Sequence, residues 1–341
     1  MTKYELTQAA AAAILLTVPI LGADPQSFPL TSSEDLVAHK VKIEAVDYEG
    51  RKAVRLLKDS PGEGMALLKD TEFGDGTIEV DVAVKVTSPP GVRNPAFIGI
   101  AFRSRPDAVH YDMFYIRPGN AHAADQAMRN HALQYVASPG HDWEILRRKW
   151  PFAYEAYTDL QLETWIPLRI DVQGRHASLY VNGAANPSLV VDGLKGEDLK
   201  GGIGLWPSPG QESYFSNLHI HRAKPGPVSN GGEAKGAWDL RYNSDTGPHT
   251  FQLKLYRDGG TVSGTISSAG TGTPFDFLRG DRPVTGTWRN GYLELSFAAI
   301  GRDAGSETTA NLSGWIDGDS AKGRMIVNGR ADGVWTATRK P

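Results

Sequence analysis

Ten residues set the terms for this chain. In Thr77 to Val86, TIEVDVAVKV, the apolar Ile78, Val80, Val82 and Val84 alternate with Thr77, Glu79, Asp81, Ala83 and Lys85. A period of two sends successive side chains to opposite faces, so the segment is a half-buried strand. Phe73-Gly74-Asp75-Gly76 turns into it and Ser88-Pro89-Pro90-Gly91 stops it. Phe97 to Phe102 and His110 to Arg117 read as the next strands. Ile166 to Val172 alternates again, with Ile166, Leu168, Ile170 and Val172 on one face. Pro167 lacks an N–H, which marks an edge or the start of that strand. Ala177 to Val181 runs into Asn182-Gly183, a hairpin signal. Gly202 to Trp206 and Tyr214 to His221 complete the set, whereas residues 24–70 read as irregular, with short apolar pieces such as Ala53 to Leu57. Strands at this spacing, with hardly a helical period between them, predict a β-sandwich.

Composition agrees and excludes several alternatives. Gly at 38 and Pro at 21 suit many short strands and turns. The 341 residues are enough for two domains. A net charge of -3 and a pI near 6.3 give no basic face, so no nucleic-acid partner is expected. The absence of cysteine excludes disulfides and thiolate metal sites. At the N-terminus, Lys3 precedes an apolar run from Ala9 to Leu21, and Gly22-Ala23 supplies small residues. This pattern predicts a signal peptide over 1–23; the alternative is a buried N-terminal helix. The expectation is a secreted or periplasmic protein with no membrane span after signal removal. No Cys stands at 22 or 23, so lipid anchoring at the cleavage site is excluded.

A Pro/Gly-rich stretch, 223–235, AKPGPVSNGGEAK, reads as a flexible linker between a sandwich over 24–222 and a second domain over 236–341. Beyond it, Phe251, Leu253 and Leu255 alternate and meet Asp258-Gly259-Gly260. Leu293, Leu295 and Phe297 repeat the pattern, and Leu312 to Ile316 runs into Asp317-Gly318. The recurring VSGTIS, VTGTW and LSGWID place glycine inside strands, where it marks the tight bends that closure needs. About eight strands in roughly a hundred residues predict a small antiparallel up-and-down barrel. Trp238, Trp288, Trp315 and Trp335 either fill its core or line a cavity in it.

The densest polar chemistry follows one strand end, within Val109 to Val136, VHYDMFYIRPGNAHAADQAMRNHALQYV. Residues 118–164 read as a long loop, whose aromatics (Tyr135, Trp143, Trp150, Phe152, Tyr154, Tyr157) argue for order. Sugars are held by planar hydrogen-bonding groups together with an aromatic face. The candidate ligand-binding residues are therefore Tyr115, Arg117, Asn120, Asp125, Gln126, Arg129, Asn130, His131 and Gln134. The alternative is a loop whose polar side chains satisfy its own backbone. Asp125 and His131 form the candidate catalytic pair, with His131 as base and Asp125 or Asp142 orienting it. Glu79 and Asp81 lie about 7 Å apart on one strand face, which suits glycoside cleavage or, equally simply, a solvated face balanced by Lys85. His219 and His221 have no third ligand nearby in sequence, so no metal is assigned, and no cofactor either. Trp165 and Trp206 are expected inside the sandwich.

Several of these pieces, GTIEVDVAV, FIGIAFRS, YDMFYIRPG, WIPLRIDVQGRHASLYVNG and GGIGLWPSPGQESYFSNLHI, resemble the concanavalin A-like jelly roll of laminin-G and glucanase type. The layout is similar to 3-keto-disaccharide hydrolase and family 16-like glycoside hydrolase domains, over residues 70–222. The resemblance implies a jelly-roll sandwich. The glucanase motif Glu-x-Asp-x-(x)-Glu is broken here: Ala83 and Val84 stand where its second Glu belongs, and Lys85 follows. The C-terminal hundred residues resemble avidin- or lipocalin-type barrels. The expected function is an exported carbohydrate-binding protein. The alternatives are a glycoside hydrolase-like enzyme acting on a glycan or modified disaccharide, and a structural or adhesive protein-interaction module.

Overall fold

A computed structural model describes residues 25–58, 62, 64–89, 91–223, 232–244, 247–271, 278, 280–289, 291–300, 306–327 and 330–341. The signal peptide expected over 1–23, and linker residues 224–231, lie outside the described residues.

The fold is all-β: a two-sheet jelly-roll sandwich followed by a closed barrel. The sandwich strands are β1 (Gln26–Phe28), β2 (Leu36–His39), β3 (Lys42–Tyr48), β4 (Arg51–Leu57), β5 (Met65–Leu68) and β6 (Gly76–Val86). Then come β7 (Ile98–Ser104), β8 (Tyr111–Ile116), β9 (Leu133–Ser138), β10 (Glu155–Ala156) and β11 (Ile166–Gln173). The last four are β12 (His176–Val181), β13 (Leu189–Asp192), β14 (Gly202–Pro207) and β15 (Gln211–Arg222). One sheet runs β13-β12-β11-β6-β15-β4-β3, with β1 on β15; the other runs β10-β9-β8-β7-β14-β5-β2. Neighbours distant in sequence, such as β6 between β11 and β15, give the jelly-roll character.

Alternation does in space what it does in sequence. Ile78, Val80, Val82 and Val84 are buried, while Lys85 is exposed. Ala83 is the exception on the outer side. It pairs with Tyr214, whose ring stacks on Tyr48 at 3.7 Å and covers it. Pro167 sits second in β11, an interior strand, so it marks a start and not an edge. Residues 24–70, read as irregular, carry five strands; three of them have only three or four residues, too short for a period to register.

The stretch 118–164, read as loop, holds three short helices and two strands. The helices are α1 (Pro118–Ala121), α2 (Gln126–Asn130) and α3 (Trp143–Lys149). β9 pairs in full register with β8, from Tyr111↔Ser138 to Ile116↔Leu133. It escaped notice because both its faces are covered: Leu133 through Ala137 are all buried, so no apolar–polar alternation is written into it.

The barrel strands are β16 (Gly236–Ser244), β17 (Gly247–Asp258), β18 (Thr261–Thr271), β19 (Arg282–Arg289), β20 (Tyr292–Ile300), β21 (Glu307–Asp317), β22 (Ser320–Val327) and β23 (Arg330–Arg339). Each pairs with the next and β23 closes on β16. Side chains fill the interior. Trp238 and Trp335 lie in that core with Leu253, Leu295 and Leu312, whereas Trp288 and Trp315 are half-buried outside it. Gly264 and Gly286 show why the repeated motif needs glycine. A Cβ there would stand 1.9 Å from the Lys254 carbonyl oxygen and 1.8 Å from that of Glu294. Residues 232–235, counted with the linker, pack on the barrel: Gly232 N–H donates to Ile316 O, and Glu233 pairs with Arg257.

Sandwich and barrel meet in a seam. Trp150 Nε1 donates to Ser313 Oγ at 2.9 Å, and Trp315 Nε1 donates to Leu194 O at 2.9 Å. Arg175 lies 3.6 Å above the Trp315 ring. Ile326 of the barrel joins the sandwich core. Among the described residues no helix is long and apolar enough to cross a membrane.

Candidate functional site

The strand β8 positions everything that follows. Its residues Asp112, Phe114 and Ile116 face the inter-sheet core, where Phe114 pairs with Ile100 and Tyr135. Tyr111, Met113 and Tyr115 face the other way. On that outward face, neighbouring strands bring Trp206, Gly99, Tyr115, Gln134 and Glu155 into one row across the sheet. Gly99 matters to the row. A Cβ there would stand 2.7 Å from Tyr115 Cβ, so its absence lets Trp206 and Tyr115 approach, with ring centroids 5.6 Å apart.

The nine sequence-derived ligand residues fall into two groups. Tyr115, Arg117, Asn120, His131 and Gln134 are brought together by a buried network. Arg117 donates to Tyr115 Oη at 2.8 Å, to Gln134 Oε1 at 3.2 Å and to His131 O at 2.6 Å. Asn120 Nδ2 donates to the same carbonyl at 3.4 Å, and Asn120 Oδ1 accepts from Arg93. Burial pulls the Arg117 pKa down, and it raises that of Tyr115 to about 12. The other four residues form an outer group on and around α2. Asp125 caps the helix by accepting from Ala127 N at 2.8 Å, and Gln126 donates to Asn130 at 2.7 Å. Arg129 donates to Ala123 O, Ala124 O and Gln126 Oε1.

The carboxylate beside His131 is Glu155, not Asp125 or Asp142. Glu155 Oε2 lies 2.7 Å from His131 Nδ1. Both aspartates are N-caps instead, Asp125 of α2 and Asp142 of α3, where it accepts from Ile145 N at 2.9 Å. Burial lowers the His131 pKa, an effect that outweighs the opposing pull of Glu155. Glu155 is also held by Arg147 through Nε at 3.0 Å and Nη2 at 2.5 Å. Arg147, in turn, lies 4.7 Å above the Trp143 ring. This chain of contacts fixes an exposed tryptophan against the sheet. Glu155 and Arg147 carried no motif; Glu155 becomes visible only once β10 is paired to β9.

Beside the network the sheet forms a cleft of about 320 Å³, walled by Phe97, Tyr111, Met113, Tyr115, Trp143 and Trp206. Trp206 was expected inside the sandwich. It lies instead half-buried on the outward face, and its indole N–H is buried without a hydrogen-bond partner. Trp165 is likewise on an outer face, over the other sheet, donating to Tyr48 O. Glu79 and Asp81 belong to that other sheet and far face. Asp81 pairs with Arg51 at 2.6 Å, and Glu79 lies 3.5 Å from His221. Among the described residues no cluster of three or more His, Cys, Asp or Glu is arranged to hold a metal.

No family model matches the chain, and no curated protein matches it. Among solved structures it is similar to a carbohydrate-binding module from Bacillus subtilis, at 14% identity over 54% of this chain and 93% of that one, TM-score 0.38. It is also similar to a Bacillus subtilis protein of unknown function with a galectin-like fold, at 13% identity over 59% and 96%, TM-score 0.39. A Bacillus licheniformis β-glucanase aligns at 12% identity over 58% and 98%, TM-score 0.36.

Proposed function

We propose that this is an exported carbohydrate-binding protein whose ligand seats in the cleft on the outward face of the seven-stranded sheet. One observation carries the reading: the exposed Trp143 and the half-buried Trp206 flank one cleft, with Phe97, Tyr111, Met113 and Tyr115 as its other walls. Trp143 and Trp206 offer faces for the C–H side of a pyranose ring. The volume suits a ligand of one or two sugar units. The Arg117–Gln134–His131–Glu155 network lies behind this surface and holds Tyr115 and Trp143 in place. The outer group, Asp125, Gln126, Arg129 and Asn130, stands at the edge of the same excursion, where it could touch a longer glycan.

Binding is favoured over cleavage by where the carboxylates stand. Asp142 lines the cleft but caps α3, and Glu79 and Asp81 lie on the opposite sheet. Two-carboxylate cleavage needs both acids flanking one bond. A glycan array followed by product analysis tests the reading. The expected result is a hit that remains chemically intact, with affinity reduced at least about tenfold by Trp143→Ala and by Trp206→Ala. Equal binding by both variants overturns the cleft, and a cleaved product overturns the binding role. Export rests on the pattern of the first 23 residues. Intact-mass measurement of native protein is expected to show their loss; a full-length chain in the cytoplasm refutes it.

A further inference from the structure

A second, larger cavity, of about 670 Å³, opens where sandwich and barrel meet. It adjoins the cleft: Tyr111, Ser138 and Gly140 line both. Tyr111 pairs with Ser138 across β8 and β9. Ala137 and His141 exchange backbone hydrogen bonds at 3.0 Å in each direction, which pinches residues 138–140 into a tight turn at the end of β9. Past Gly140 the lining divides. His141 and Lys149 line the cavity alone, Asp142 and Trp143 the cleft alone. Gly140 is therefore the saddle between the two spaces. It is exposed, its φ of +92° suits glycine, and a Cβ there would meet nothing within 4 Å. A chain leaving the cleft has open room over that point.

The far side is polar, and its groups reach solvent. Thr261 and Thr287 are cross-strand partners on β18 and β19, both exposed. Arg289 Nη1 stands 3.7 Å from Glu197 Oε1, with 81% and 50% of the two side chains exposed. Lys149 Nζ stands 3.7 Å from Glu294 Oε1, on side chains that are 49% and 34% exposed. Both distances exceed a hydrogen bond, so donors and acceptors alike remain available to a ligand. The lining holds as many carboxylates as lysine and arginine side chains, four of each. Such a balance favours neither an anion nor a cation. Hydroxyl groups, which both donate and accept, suit it. The cavity has about twice the volume of the cleft, room for about two to four further sugar units on the same scale.

We infer that cleft and cavity are one extended site for a neutral linear oligosaccharide, whose chain crosses Gly140 and ends against Thr261, Thr287 and Arg289 of the barrel. The inference rests on the cleft reading and adds the barrel to it. A ligand confined to the cleft touches the sandwich alone.

The test is calorimetric titration of the full-length chain with cello-, laminari-, xylo- and manno-oligosaccharides, each as disaccharide and as hexasaccharide, and with hexagalacturonate. In the series that binds, the hexasaccharide is expected to bind at least about tenfold more tightly than the disaccharide. Arg289→Ala and Thr287→Trp, both at exposed positions, are expected to cut hexasaccharide affinity at least about fivefold and to leave disaccharide affinity within about twofold. That split separates a lost contact from damage to the fold, which would weaken both lengths. Trp143→Ala is expected to weaken both. Should Thr287→Trp fail to fold, Arg289→Ala decides. A hexasaccharide no tighter than a Trp143-dependent disaccharide overturns the inference and leaves the cleft reading standing. So does a length gain that survives the barrel variants. Hexagalacturonate bound more tightly than every neutral hexasaccharide overturns the neutral class. No binding at either length in any series overturns the cleft reading and this one with it.

Discussion

Arg129 separates two roles that the sequence left open. Its guanidinium donates to two loop carbonyls and to Gln126, so the side chain ties the start of α2 to the turn before it. A lysine keeps the charge but loses the fork that makes several bonds at once. Arg129→Lys is therefore expected to cost about 1 kcal/mol of stability, the scale of a net hydrogen bond, while sugar affinity changes less than about twofold. Thermal unfolding and calorimetric titration on one sample check both; an affinity loss without a stability loss would make Arg129 a ligand contact. The inner group was legible as a polar cluster because Tyr115 and Arg117 sit at a strand end and Gln134 follows within the same excursion. Glu155 and Trp206 were not legible. Their roles depend on which strands become neighbours, and that information is long-range. The polar residues of α2 look the same in sequence whether they await a ligand or bond to one another.

Elements show the same division. β6, β11 and the barrel strands were readable because one face of each is apolar and the other is not. β9 was hidden by burial on both faces, and the short helices by having too few turns for a period. α3 carries a consequence of its own. Asp142 caps its N-terminus and Arg147 to Lys149 favour its C-terminal end, so the helix presents Trp143 to the cleft from a fixed position. Asp142→Ala is expected to cost about 1 kcal/mol and to weaken glycan binding through Trp143, although Asp142 is not assigned to the sugar. Urea unfolding and titration of that variant check this; unchanged affinity would detach the helix from the site. In the barrel, Gly264→Ala and Gly286→Ala force a methyl against a backbone carbonyl that cannot yield cheaply. Each is expected to destabilise the barrel by more than about 2 kcal/mol, measured by denaturant midpoint. A loss within about 0.5 kcal/mol would mean that the strands shift to admit the methyl.

The whole molecule adds the seam, which no local pattern foretold. His141 lines the cavity beside it, and burial, reinforced by Lys195, Lys149 and Arg289, lowers its pKa to about 4. The folded value lies below the ordinary 6.5, so the unfolded chain binds the extra proton between the two. Stability is therefore full above about pH 6.5 and falls as the pH drops towards 4. The loss reaches at most about 3 kcal/mol, and His141→Asn is expected to remove that part of the acid sensitivity. Melting curves of parent and variant at pH 7 and pH 4.5 check it; equal acid losses in both would show that His141 does not titrate as the fold implies. We further propose that sandwich and barrel are separate folding units coupled through Trp150, Trp315, Ile326 and Lys195, whose ammonium donates to Tyr292 Oη of the barrel. On that view Trp315→Ala loosens the coupling, and one calorimetric transition becomes two. A single, merely lowered transition would make the two one unit.

The seam also bears on heredity. Gene rearrangements readily move a barrel-coding segment from one protein to another, and they do best when the borrowed part keeps its surfaces to itself. Here Trp150 and Arg175 reach for one side of the join, and Ser313 and Trp315 for the other. A transplanted barrel would arrive without its counterpart and leave a raw indole surface behind. Substitutions on the two sides should therefore be inherited together, and the two coding segments should travel through lineages as one.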